Sequence, residues 1–213
     1  RDRLVLATDT PGFGESEWPP APLEIEDFAR VMADVWQRLG IDESDVFGFH
    51  TGSMTAVELA LTKPTVVRKV AMISAPIFSD DELATFRAHY QPIEIRADGQ
   101  HMIEAWQSFF QWRGPGQTIE NYARNNFTTW RAGPARHWGH RAAFNYPFAE
   151  KLARVNQPVL VLNPNDDLVE QSRRAAPIMK DGRIIEMPNL GHGMLDCATV
   201  EVAGQLRAFL DET

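Results

Sequence analysis

Five consecutive residues, Gly48-Phe49-His50-Thr51-Gly52, constrain this chain more than any others. They follow the strand-like run Asp45-Val46-Phe47 and open a helical pattern that extends from Ser53 to Leu61. A chain that passes from strand to helix in so few residues must turn sharply, which holds the central residue in a strained backbone conformation. Flanking glycines remove Cβ atoms that would collide as strand and helix close on each other. The turn pushes one side chain, that of His50, out above the end of the strand. A helix N-terminus stands behind it and favours developing negative charge.

The order of elements around this turn sets the fold class. Arg3–Thr8 reads as a strand and leads into a glycine-rich loop, Asp9-Thr10-Pro11-Gly12-Phe13-Gly14-Glu15-Ser16. Phe28, Val31, Met32, Val35, Trp36 and Leu39 recur at helical spacing between Ile25 and Leu39, and Gly40 ends that helix. Further strands are expected at 46–49, 69–74, 158–162 and 183–187, with helices at about 168–179 and 200–210. Continuous apolar strands alternating with helices give an α/β fold, a mostly parallel sheet flanked by helices. Residues 77–151 break the alternation. They hold fourteen of the chain's twenty-one aromatic residues and no convincing strand, so they read as a helical insertion with helices near 80–90, 100–112, 117–130 and 140–153. The expected organisation is a core of 1–76 and 152–213 with the insertion 77–151 above the carboxyl edge of the sheet, where open α/β sheets bind ligands.

Composition excludes several function classes. The 213 residues carry a net charge of −8, which argues against a nucleic-acid surface. No run of eighteen apolar residues suggests a membrane span. The one cysteine, Cys197, excludes an intramolecular disulfide and fits a reducing, cytoplasmic setting. No motif calls for a metal, nucleotide or flavin, so no cofactor is expected. His137-Trp138-Gly139-His140 has metal-compatible spacing but no evident third ligand. The expected partner is a small molecule, with a homodimer as one option.

Three residues on loops after successive strands carry the chemistry: His50, then Asp166 in Asn163-Pro164-Asn165-Asp166-Asp167, then His192 in Asn189-Leu190-Gly191-His192-Gly193. A carboxylate beside an imidazole orients it and stabilises its protonated form, and the imidazole moves protons at neutral pH. Placing Asn163 at the start of the acid loop selects Asp166 over Asp167.

With the loop 9–16, the turn 48–52, the acid loop and Gly191-His192-Gly193 in this order, the chain resembles the α/β-hydrolase superfamily over essentially its whole length. The insertion resembles the helical cap of the capped branches, which include esterases, epoxide hydrolases, dehalogenases and carbon–carbon bond hydrolases. The resemblance implies a nucleophile elbow at 48–52, a nucleophile–acid–base order of His50, Asp166 and His192, and the Thr51 N–H as oxyanion donor. The tryptophans of the insertion read mostly as its core, with one or two free to line an apolar pocket, and Trp106, Phe110, Trp130 and Trp138 are the candidates for that lining. Two departures matter. The family nucleophile is serine, aspartate or cysteine, and here it is histidine. The strands that ordinarily precede Arg3–Thr8 are missing, which suggests a fragment of a longer protein.

His50 leaves three readings open: a nucleophile forming an acyl-imidazole, a general base or hydrogen-bond donor beside reacting water, or a lost activity with the pocket kept for binding. The first two make the chain a hydrolase of a small, partly apolar ester or other carbonyl compound with an atypical His–Asp–His site. The third makes it a non-catalytic ligand-binding homologue. A cofactor-free lyase or oxygenase using the histidines as bases is a further alternative.

Overall fold

The computed structural model describes residues 3–212, with the side chains of Pro134 and Ala135 left aside. Four strands, β1 (Ser44–Phe49), β2 (Val67–Ile73), β3 (Val159–Pro164) and β4 (Gly182–Met187), form one parallel sheet in the order β1-β2-β3-β4. β3 is buried along its whole length and β2 at all but one position, which is why both read as unbroken apolar runs rather than as alternating patterns. Helices α1 (Ile25–Leu39) and α2 (Thr51–Thr62) pack on one face, and α10 (Thr199–Asp211) on the other. The larger apolar cluster joins Ile25, Phe28 and Trp36 of α1 to Met54 and Val57 of α2 and to Val70, Met72 and Val161 of the sheet. The smaller one joins Ile73, Leu160 and Leu162 to Val202 and Phe209 of α10.

The α1 helix has the bounds its periodicity predicts. Glu24 and Asp27 form a reciprocal capping box at its start, and Gly40, at φ 67°, closes it in the left-handed conformation. By contrast, the expected strand at Arg3–Thr8 does not form; these residues have no regular structure. β1 pairs on one side only, with β2, and no described strand lies along its other edge. A β-prone run becomes a strand only where a ladder partner accepts its hydrogen bonds. Without one, Leu4 and Val5 remain 93% and 82% exposed.

Between β2 and β3 the regular elements among the described residues are helices joined by loops: α3 (Asp80–His89), α4 (Gln100–Phe110), α5 (Ile119–Arg131), a short 3-10 turn at Gly133–Arg136, α6 (His137–Asn145) and α7 (Phe148–Leu152). The single helix expected at 140–153 is two, parted at Tyr146-Pro147, because proline cannot continue a helix. α6 and α7 are fastened to the sheet-side core. Ala142, Tyr146, Phe148 and Leu152 belong to the larger apolar cluster. The buried Glu58 carboxylate of α2 accepts hydrogen bonds from the Tyr146 hydroxyl at 2.7 Å and the Lys151 ammonium at 2.8 Å. A buried carboxylate with two such donors locks the elements that supply them.

The remaining elements are α8 (Val169–Arg173) and α9 (Met194–Cys197); α8 is shorter than the expected helix at about 168–179. No helix is long and apolar enough to cross a membrane among the described residues.

Candidate active site

The turn between β1 and α2 has the geometry its glycines suggest, but they do different work. His50 sits at φ 50°, ψ −110°, a strained conformation for a residue with a Cβ. A Cβ on Gly48 would lie 2.2 Å from the Gly52 carbonyl oxygen, so β1 and α2 close only because Gly48 has none. A Cβ on Gly52 would meet nothing within 4 Å. The strained turn is held by the His50 N–H, which donates to the Ile73 carbonyl at 3.1 Å. Thr51 is the first residue of α2, where backbone N–H groups have no intrahelical acceptor. Its N–H is therefore available to an oxyanion at the mouth of the turn.

Three loops meet at this point. Asp166 and Asp167 follow β3, and His192 follows β4. The two loops are tied by the Asn165 N–H, which donates to the Leu190 carbonyl at 2.8 Å. The sequence Gly114-Pro115-Gly116, which reads as a simple break between helices, is a third support. The Gly114 N–H donates to the His192 carbonyl at 3.0 Å, and a Cβ on Gly114 would strike that oxygen at 2.7 Å. The loop that carries His192 is thus braced by the helical segment.

The side chains form two imidazole–carboxylate pairs rather than one line. His50 Nε2 lies 3.0 Å from Asp166 Oδ2, and His192 Nε2 lies 2.7 Å from Asp167 Oδ1. The two rings face each other edge to face with centroids 5.2 Å apart, and Phe49 stacks on His50 at 4.2 Å. Asp166, the expected acid, therefore pairs with His50, and its neighbour Asp167 takes His192. Since each carboxylate is an acceptor, each Nε2 carries the donated proton and each Nδ1 retains its lone pair in the neutral ring. Asp166 is 3% exposed and fully engaged: Ser74 Oγ donates to Oδ2 at 2.9 Å, and the Leu168 N–H donates to Oδ1 at 2.8 Å.

Ser74 carries no motif and has no sequence signal, yet it organises the acid. It lies fully buried at φ 63°, at the end of β2. Ser53, the nearest serine to the elbow, is also fully buried and donates to the carbonyls of Ile73 and Ser74 at 3.2 and 2.8 Å. Its hydroxyl is spent on backbone and faces no solvent.

The electrostatics favour the charged forms of His192 and Asp167. Burial pulls the His192 pKa down, but the hydrogen bond and charge of Asp167 outweigh it, and the net shift is upward. Burial pushes Asp167 up, but His192 and the nearby His50 outweigh it, and the net shift is downward. His140, buried beside Arg136 and within the field of His50, is held down at about 4 and stays neutral. Tyr90, stacked on His140 at 4.1 Å, is pushed up to about 12 by burial and by Asp167.

A cavity of about 460 Å³ opens among the helices beside this cluster, with His89, Tyr90, Arg96, His101, Arg136 and His140 on its wall. The four aromatics expected to line a pocket do not line it. Trp106 and Phe110 pack on Tyr122, with ring centroids 4.6 and 5.3 Å away, as core of the helical segment. Trp130 stands behind the wall, against His101 and under the Arg136 guanidinium. Trp138 packs edge to face on Trp18 at a crevice of only about 10 Å³ by the loop 9–16. Aromatic content marked the segment but could not separate core from wall. The polar wall residues carried no pattern that singled them out.

A parallel sheet that gathers imidazoles and carboxylates at its carboxyl edge, behind a strained strand-to-helix elbow, defines a hydrolase-type architecture. The chain belongs to the alpha/beta hydrolase fold family, whose profile matches residues 1–192. It is 25% identical to a bifunctional esterase/perhydrolase of Acinetobacter calcoaceticus, over 97% of this chain and 81% of that protein. It is 24% identical to the (E)-2-((N-methylformamido)methylene)succinate hydrolase of Acinetobacter baylyi, over 98% and 81%. Among solved structures, an esterase from Thermogutta terrifontis superposes with a TM-score of 0.75 at 19% identity, over 95% of this chain and 77% of that one. The enol-lactonase from Burkholderia xenovorans does so at 0.76 and 18%, over 96% and 79%.

Proposed function

We propose that this protein hydrolyses a small, partly apolar ester or related carbonyl compound at His50, Asp166 and His192, with residues 77–151 as the cap over the site. The observation that carries the reading is the pair of imidazoles at the elbow, each oriented by its own carboxylate. In this scheme the Thr51 N–H receives the carbonyl oxygen as it gains charge. His192 removes the proton from the attacking water, and Asp167 stabilises the imidazolium that results. As the adduct collapses, the His192 imidazolium returns that proton to the leaving group, while His50, in the place where the family holds its nucleophile and oriented by Asp166 and Ser74, accepts a hydrogen bond from the attacking water at Nδ1. The esterase and hydrolase activities named for the relatives support the reaction class.

The deciding experiment compares wild type, His50→Ala and His50→Ser on short p-nitrophenyl esters. Wild type turns over, and His50→Ala falls by about 10²-fold or more, the scale of a lost acid–base group. Turnover that arises only in His50→Ser would instead mean a binding pocket with the hydrolase frame intact and no working nucleophile.

The pH profile has a defined direction. A general base works in its neutral form, and the His192 pKa lies above the ordinary 6.5. Turnover therefore rises with pH with a midpoint above 6.5, and Asp167→Asn moves that midpoint down. The same pair contributes to stability in a window. The His192 share is complete below 6.5 and is lost as pH rises through its raised pKa; the Asp167 share is complete above 3.8 and is lost as pH falls through its lowered one.

A further inference from the structure

A hydrolytic site needs one carboxylate–imidazole pair, and this one has two. The position where a family member would place a hydroxyl, thiol or carboxylate nucleophile holds a ring nitrogen instead. One donor atom from each of His50, Asp166, Asp167 and His192 lies within 4.8 Å of every other. A first-row ion with bonds of ~2.1 Å sets neighbouring donors roughly 3 Å apart and opposite donors roughly 4.2 Å apart. The two pairs already stand at 3.0 and 2.7 Å, so within each pair the donors are at the spacing of neighbouring ligands, and seating an ion draws the two pairs toward each other.

We infer that these four residues form a binding site for one divalent transition-metal ion. The donor set is two imidazole nitrogens and two carboxylate oxygens, a borderline set that selects Zn²⁺, Co²⁺, Mn²⁺ or Fe²⁺ over Mg²⁺ and Ca²⁺, which prefer all-oxygen shells. With neutral imidazoles, the two carboxylates give the cluster a formal charge of −2, which one dication balances. The ligands come from three loops that are tied to one another. Asp166 is fixed from behind by the Ser74 hydroxyl and the Leu168 N–H, the kind of outer support that holds a ligand in one orientation. The side chains of His50, Asp167 and His192 are 22, 20 and 28% exposed, so the ion has a way in and room for a water on its open side. Protons and metal compete for the same four donors: the hydrogen-bonded pairs are the metal-free form of the site. This departs from the cofactor-free expectation of the sequence, and it does not depend on the hydrolase reading, because occupancy is measured without substrate.

The test uses the full chain in a Cys197→Ser background, because Cys197 is an exposed thiol that would bind these ions itself. After chelator treatment the protein is titrated with Co²⁺ and followed by visible absorption and calorimetry. The expected result is one equivalent bound, with a d–d band that Zn²⁺ abolishes and excess Mg²⁺ does not. Asp167→Asn, which keeps the side-chain shape, weakens binding by at least ~10-fold. His192→Ala does the same, with folding checked by circular dichroism. In wild type, Co²⁺ also shifts imidazole proton resonances from two histidines, a readout that needs no variant. Absence of saturable binding overturns the site. So does binding of unchanged affinity in both variants, which would place the ion on the cavity histidines instead.

Discussion

Changing His192 to alanine lowers kcat/KM on p-nitrophenyl esters by about 10²–10⁴-fold, the range for removing a positioned general base. The effect is expected in kcat rather than KM, because the imidazole acts on the proton in flight and contributes little to ground-state binding. The variant folds. The loop is held by main chain, with the Gly114 N–H on the His192 carbonyl and the Asn165 N–H on that of Leu190, and neither bond involves the removed ring. A variant with wild-type turnover and unchanged spectra would sink the assignment of His192. A variant with lost turnover and an intact melting transition would separate chemistry from folding.

The second large effect is on stability. Alanine at Gly48 brings a Cβ to 2.2 Å from the Gly52 oxygen, 2.3 Å from its carbon and 2.5 Å from the Ser53 nitrogen. All three are backbone atoms, so no side chain can turn aside, and β1 must separate from α2. The expected loss is about 3 kcal/mol or more, at or beyond the upper end of overpacking. Gly52→Ala is the internal control. It sits in the first turn of α2 with open space around its Cβ position, so its effect stays within about 0.5 kcal/mol of wild type. Denaturant unfolding of the two variants checks the contrast. Equal losses would mean that the elbow is not closed at Gly48.

How much of this was legible beforehand differs from element to element. The α1 helix was readable to the residue, since both its stripe and its stop are local. The order of the four strands was readable too, with ends that differ by up to two residues, because each needs only its own apolar run to be seen. The strand at Arg3–Thr8 failed because strand formation is a property of two chains in register, and a composition of Leu and Val describes only one. The site residues were readable as loops at one edge, but their pairing was not. Asp166 and Asp167 sit in a bend and turn after β3 and both reach the histidines, so which carboxylate takes which imidazole depends on a loop geometry that spacing cannot encode. The inward one is chosen by Ser74, which lies far away in sequence. The four tryptophan and phenylalanine candidates illustrate the same limit. An aromatic ring fills a core and lines a pocket by the same chemistry, and only its neighbours tell which.

Ser74 also ends β2, and the helical excursion starts just beyond it. The Ala75 N–H is pinned to the Ser172 hydroxyl at 2.8 Å, the Ser74 carbonyl receives Ser53, and the Ser74 hydroxyl steadies Asp166. The start of the helical segment and the carboxylate beside it therefore share one anchor, at Ser74 and Ala75. One buried serine thus serves both the departure of the chain from the sheet and the orientation of the His50 pair.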